Sequence, residues 1–229
     1  MNKNEFYRNA RNDIPGPLSG VRVLEATTTW AGPMCAAVLA VLGADVIKVE
    51  IPSGDVGRAI QPNLPGTDVG FMHATVNRNK RGLSLDTRTE AGRDIFLKLA
   101  ESSDILVENF KVGTMAKYGL GYDQLSEMKP DIVYVSITGW GQFGPNHEAA
   151  GYDPLAQDSS GFMSVNGSPD GPPTKAGTFL ADDLGGLHAA IGAMAALRHR
   201  DQTGEGQHVD IALQDAMLFQ SNGLPTLGA

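Results

Sequence analysis

The sequence predicts an α/β protein built on an open, mostly parallel, Rossmann-like sheet with helices on both faces. Three observations predict it. Several short runs are almost continuously apolar, as strands buried on both faces must be; Asp131-Ile-Val-Tyr-Val-Ser-Ile137 is the clearest. These runs alternate with stretches of helical periodicity. At the start of the chain a strand, a loop, a helix and a second strand fit within roughly thirty residues, the length of a right-handed βαβ unit.

The 229 residues are enough to bury a substantial core. Hydrophobic residues make up 41% and charged residues 19%, the balance of a globular protein. Eighteen basic against twenty-six acidic side chains leave a net charge of −8. No basic excess is available to neutralise phosphates, which argues against nucleic-acid binding. The single cysteine, Cys35, excludes an internal disulfide and fits a cytoplasmic protein. No run approaches the apolar length of a membrane span.

In order, residues 1–17 are polar, contain Pro15 and Pro17, and read as an arm. Gly20–Ala26 is the first strand. A helix follows with Pro33 in its first turn and Gly43 as its left-handed cap. Asp45–Glu50 is the second strand, and 51–71 reads as an irregular Gly- and Pro-rich loop. The basic cluster Asn77-Arg-Asn-Lys-Arg81 precedes a short strand at 83–86. Thr89–Ala100 is an amphipathic helix and Asp104–Phe110 a strand. Two short helices (114–118, 122–128) lead to the strand at 131–137, which ends in Gly139-Trp-Gly-Gln-Phe-Gly-Pro145. A turn-rich segment occupies 164–173. The stretch 198–206 reads as a charged turn, Gln207–Leu213 as a strand of period two, and 214–222 as a helix.

Thr178–Leu197 is the most distinctive segment. It turns at Ala181-Asp182-Asp183 and continues as a helix whose apolar face is predicted to be Leu184, Leu187, Ile191, Met194 and Leu197. Gly185, Gly186 and Gly192 are poor helix formers and indicate close packing. Asp182 and Asp183 fall at the helix N-terminus, beside free peptide N–H groups that favour an ionised carboxylate. Such a carboxylate is suited to nucleophilic attack, yet aspartate before a helix ordinarily only caps it. There is no G-x-G-x-x-G, P-loop or G-x-S-x-G motif. The five histidines lack metal-ligand spacing, and His188 reads as a packing or surface residue.

Leu18-Ser-Gly-Val-Arg-Val-Leu-Glu, Ala31-Gly-Pro, Leu42-Gly-Ala-Asp-Val-Ile-Lys-Val-Glu, Asn79-Lys-Arg, Leu106-Val-Glu-Asn-Phe and Leu180-Ala-Asp-Asp-Leu-Gly-Gly-Leu together resemble the class III coenzyme A transferases. This group includes formyl-CoA and carnitine CoA-transferases and the α-methylacyl-CoA racemases. The resemblance runs collinearly over residues 16–222 and implies transfer of CoA from an acyl-CoA to a carboxylic acid, with CoA as co-substrate and no metal or permanent cofactor. By matching position, Asp182 is the catalytic aspartate and Asp183 the better candidate for a cap. Asn109, Phe110, Lys117, Leu85, Arg88 and Tyr152 would line the CoA site, with Trp30 and Ala31 facing the acyl group. Ile51 and Ala150 stand where formyl-CoA transferase has basic residues, so some phosphate contacts must differ.

A racemase of this group pairs the aspartate with histidine in Gly-His-Asp; here the motif is Gly151-Tyr152-Asp153, and tyrosine is a poor proton base at neutral pH. The transferase is therefore favoured. A non-catalytic CoA-binding or subunit-interaction chain is the other alternative. Family members are near twice this length, with a second, smaller domain, and form interlocked dimers. The resemblance thus implies a truncated large domain over 18–229 that pairs with itself or with a complementary chain.

Overall fold

The computed structural model describes residues 1–11 and 13–221. The expected end of the last helix at 222 and the segment 222–229 lie outside the described residues. After a short exposed helix, α1 (Lys3–Phe6), strand β1 (Arg22–Ala26) leads into α2 (Ala31–Val41) and β2 (Asp45–Glu50). Then come α3 (Phe71–Val76), β3 (Lys80–Ser84), α4 (Glu90–Glu101) and β4 (Ile105–Glu108). The second half contains α5 (Thr114–Lys117), α6 (Tyr122–Met128), β5 (Val133–Thr138) and α7 (Asp153–Ser159). It continues with α8 (Leu180–Thr203), β6 (Gln207–Ala212) and α9 (Leu213–Phe219).

Among the described residues six strands pair in parallel, in the order β3-β2-β1-β4-β5-β6. The central strands are buried on both faces, which explains their unbroken apolar runs. One face is covered by α2, α8 and α9, whose Cys35, Leu39, Ala189, Ala193 and Met217 meet Val23, Ile105 and Val135. On the other face Phe96 and Ala100 of α4, with Met115 and Leu125, meet Leu24, Leu106 and Tyr134. Helices on both faces of a parallel sheet are the predicted architecture. Among the described residues no helix is long and apolar enough to cross a membrane.

The structure corrects several element assignments. The third strand is Lys80–Ser84, so the basic cluster runs into it rather than preceding it. Helices α3 and α7 stand where the sequence reading places no element. The charged stretch 198–203 is the last turn and a half of α8, which ends at Gly204 in the left-handed conformation, φ 79°.

The buried face of α8 is only in part the predicted stripe: Leu197 is buried and Leu184 and Met194 pack against the core, but Leu187 and Ile191 do not. Its buried residues are Ala181, Gly185, Gly186, Ala189, Ala190, Ala193, Ala196 and Leu197, while Leu187 and Ile191 are 40% and 61% exposed. The reason is distance between backbones. A Cβ on Gly186 would lie 2.8 Å from the carbonyl oxygen of Ala31 and from Cβ of Met34, so α2 and α8 approach too closely for larger side chains. The inference that these glycines mark close packing holds. The helix turns its small residues inward and leaves Leu187 and Ile191 out.

Candidate active site

In a sheet of this order the chain leaves β1 in one direction and returns at β4 in the other, which opens a crevice beyond the carboxyl ends of those two strands. Here the crevice is clasped by Asn109. Its side-chain oxygen accepts the Thr28 N–H at 2.8 Å and its amide donates to the Thr28 carbonyl at 2.9 Å. The two bonds imitate one more rung of parallel pairing just past the end of the sheet.

The loop after β1 is under tension. Thr29 has φ 68°, an uncommon conformation for a β-branched residue, and its N–H donates to Asp55 Oδ1 at 3.0 Å. Asp55 also accepts the Gly57 N–H at 2.8 Å, and its other oxygen lies 3.0 Å from Lys48 Nζ. Lys48 pairs in turn with Glu25 at 3.0 Å, and Glu25 with Lys80 at 2.7 Å. This chain of two cations and two anions is buried beneath the loop. Burial pushes the Asp55 carboxyl up, but the Lys48 charge and the two N–H donors outweigh it and leave it below the ordinary range. Burial also lowers Lys80 to about 8, against the opposing pull of Glu25.

Past the loop lies a cleft of about 460 Å³. Six of the expected site residues line it together: Trp30, Ala31, Asn109, Phe110, Tyr152 and Asp182. Phe110 also borders a smaller, mostly apolar slot of about 100 Å³, where Leu85 lies. Arg88 and Lys117 do not line either space. Arg88 is an exposed residue held by Asp86 through two bonds of 2.8 and 2.9 Å, and Lys117 is exposed on α5. Lys111, which the sequence reading did not single out, and His147 are the cationic or titratable side chains that border the cleft besides Asp182 and Tyr152.

Asp182 sits in the first turn of α8, but the electrostatic expectation for it needs correction. The helix begins at Leu180, and its N-cap, Phe179, makes no side-chain capping bond. The free N–H groups of Ala181 and Asp182 are instead taken by Oδ2 of Asp153, at 2.8 and 3.3 Å. Deprived of those donors, the Asp182 carboxyl is not kept in the ordinary ionised range. Burial pushes it up to about 7, with the negative charges of Asp153 and Asp183 adding to the effect. Asp183 is not the cap either: it accepts the Trp30 indole N–H at 2.6 Å, tying α8 to the start of α2. Trp30 also packs against Phe179, ring centroids 5.5 Å apart. His188 has a packing environment, its Nδ1 2.8 Å from the Leu184 carbonyl and its ring against Phe219.

Asp153 is the residue that sequence reasoning passed over. In the motif Gly151-Tyr-Asp-Pro154 the comparison with racemases draws attention to Tyr152 alone. A proline directly after an aspartate is a helix-start signal, and it would have placed α7 here.

Fold and cleft define a doubly wound α/β protein with a cleft at the switch point and an aspartate of raised pKa in its wall. Comparison with known proteins gives the family. The profile of CoA-transferase family III matches residues 18–226, and the chain belongs to that family. It is 46% identical over 223 residues to a succinate–glutarate CoA-transferase of Agrobacterium fabrum, covering 92% of this chain and 56% of that protein. It is 44% identical over 210 residues to a succinyl-CoA:mesaconate CoA-transferase of Haloarcula hispanica, covering 89% and 53% respectively. The crystal structure of a CAIB/BAIF family protein from Brucella suis superposes with a TM-score of 0.89 at 41% identity, over 94% of this chain and 58% of that one. The chain spans about half the length of the curated relatives it matches.

Proposed function

We propose that this chain carries the catalytic aspartate of a CoA-transferase, and that Asp182 moves CoA between carboxylic acids by becoming transiently esterified to it. The observation that carries the reading is the placement of Asp182 in the wall of the switch-point cleft, together with Asn109, Phe110, Tyr152, Trp30 and Ala31. The Asp182 carboxylate would attack the thioester carbonyl carbon of an acyl-CoA. The C–S bond breaks and the CoA thiolate leaves, giving a mixed anhydride of the acyl group and Asp182. The thiolate then attacks the aspartyl carbonyl and expels the acyl group as a free carboxylate, leaving an aspartyl-CoA thioester. An acceptor carboxylate repeats both steps in reverse and departs as the new acyl-CoA. One carboxylate enters and one leaves, so no net proton, electron or metal is needed.

The CoA arm would follow Asn109 and Tyr152, with Leu85 and Phe110 offering the apolar slot, and the exposed Arg88 and Lys117 facing the phosphates from outside. Trp30 and Ala31 would border the acyl group. The relatives named for succinate, glutarate and mesaconate support short dicarboxylic acids as the substrate class, and Lys111 supplies positive charge at the cleft for a second carboxylate, with the His147 ring as a further hydrogen-bonding group on its wall. Self-association or pairing with a complementary chain belongs to the same proposal. It is supported by the exposed apolar side chains Ile191 and Phe219 on and beside α8.

The test is a screen for product acyl-CoA by mass spectrometry, run on the chain alone and combined with the C-terminal half of a relative. Succinyl-CoA as donor should yield new CoA thioesters of dicarboxylic acceptors in preference to monocarboxylic ones. The α-proton of a 2-methylacyl-CoA should exchange with deuterated water only at background. Rapid exchange without CoA transfer would overturn the transferase reading in favour of a racemase.

A further inference from the structure

We propose that Asp153 is a positioning residue for Asp182: from the first turn of a different helix, its carboxylate caps α8 at the peptide N–H of Asp182 itself and fixes the charge beside that residue. The inference rests on the reading of Asp182 as the nucleophile.

A helix start leaves peptide N–H groups without partners, and a side chain just before the helix ordinarily supplies one. Helix α8 lacks such a residue, because Phe179 occupies the position. The acceptor comes instead from a residue 29 positions earlier, at the start of α7. Asp153 is only 2% exposed. Its Oδ2 takes the N–H groups of Ala181 and Asp182, and its Oδ1 accepts from Gln157 Nε2 at 2.7 Å. Gln157, fully buried, extends the hold to the approach segment, accepting the Ala176 N–H at 2.8 Å and donating to the Thr178 carbonyl at 3.4 Å. Two side chains of α7 thus fix the backbone from Ala176 to Asp182.

The arrangement does more than cap. Tyr152, the neighbour of Asp153, is 70% exposed and lines the cleft, so one short turn presents a cleft wall outward and grips the nucleophile's backbone inward. The buried negative charge of Asp153 also faces Asp182. The other groups that bear on Asp182 are Asp183 on its own helix and, around the cleft, Lys111, His147 and Tyr152. Helix α2 contributes only Trp30 and Ala31 at this point, neither of which titrates. Removing the Asp153 charge must therefore favour ionisation of Asp182.

Two substitutions separate holding from charge. Asp153→Asn keeps an oxygen able to accept the two N–H groups but removes the charge. The Asp182 side-chain carboxyl carbon, followed by NMR in labelled protein, should titrate near 7 in the wild type and about one pH unit lower in Asp153→Asn. That readout needs no turnover, so it stands or falls apart from the catalytic assignment. The acid limb of kcat/KM should move by the same amount. Asp153→Ala, which frees both N–H groups, should lower kcat on the order of 10²-fold with little change in KM. An Asp182 titration that is the same in wild type and Asp153→Asn would overturn the inference. Parallel losses of stability and activity in both variants, with no shift of the limb, would do the same and leave Asp153 a purely structural residue. If Asp182→Asn keeps full activity, it is the nucleophile assignment that fails, whatever the titration shows.

Discussion

Asp182→Asn is expected to lower CoA transfer by at least on the order of 10³-fold while leaving CoA binding intact, since the amide keeps the shape but cannot attack a thioester. Asp183→Asn, whose amide oxygen can still accept the Trp30 indole N–H, should retain turnover. The same Asp182 substitution carries an expectation about stability with the opposite sign. The folded carboxyl titrates near 7, against an ordinary value of 3.8. Its contribution to stability is therefore fully present below pH 3.8 and is lost as the pH rises through 7. An ionised Asp182 at pH 8 is a burden that asparagine does not carry. Because the side chain is partly open to the cleft, water screens some of that burden, and the variant should be more stable than the wild type by on the order of 1–3 kcal/mol at pH 8. At pH 4 the difference should be close to nothing. Urea unfolding at the two pH values checks both numbers. In the wild type, activity should rise with pH along an acid limb near 7, because only the ionised carboxylate attacks.

Lys48→Met is expected to give the largest loss of stability, about 3–5 kcal/mol, because it breaks a buried ionic chain from one side only. Lys48 is 2% exposed and lies 3.0 Å from both Glu25 and Asp55, and it also donates to the Thr27 carbonyl at 3.2 Å. Glu25 keeps Lys80 as a partner. Asp55 keeps only the Thr29 and Gly57 N–H groups. The carboxyl of Asp55 is held below its ordinary value in the wild type, so its stabilising contribution exists above pH 3.8 and disappears as pH falls through the folded value. The deficit of Lys48→Met should accordingly be largest near neutral pH and shrink towards pH 3. The left-handed Thr29 and the Trp30 wall depend on Asp55, so KM for acyl-CoA should rise as well. A loss below about 1 kcal/mol, independent of pH, would show that the chain of charges does not brace the loop.

The sheet was legible because its strands carry near-continuous apolar runs such as Asp131–Ile137, and because the first βαβ unit has its turn residues in place. The position of Asp182 was legible from its motif, and the cleft gathers most of the residues named with it. Other features were not legible, for physical reasons that recur along the chain. Counting apolar residues at helical spacing selected Leu187 and Ile191 on α8, whereas the packing is decided by how closely Gly186 lets α8 approach Ala31. The raised pKa of Asp182 comes from its burial and from the charges of Asp153 and Asp183, and Asp153 lies 29 residues earlier in the chain. The buried partnership of Glu25, Lys48, Asp55 and Lys80 joins three strands and a loop, so no local window contains it.

If Asp182 carries CoA during transfer, a covalent bond forms between its side-chain carbonyl and the CoA sulfur. The most direct measurement is peptide mass spectrometry after incubation with succinyl-CoA and then hydroxylamine, which would attack the aspartyl carbonyl, release CoA and leave a hydroxamate. That modification is expected on the peptide containing Asp182, dependent on acyl-CoA and absent from Asp182→Asn. Modification only on other peptides, in a preparation that still transfers CoA, would contradict it.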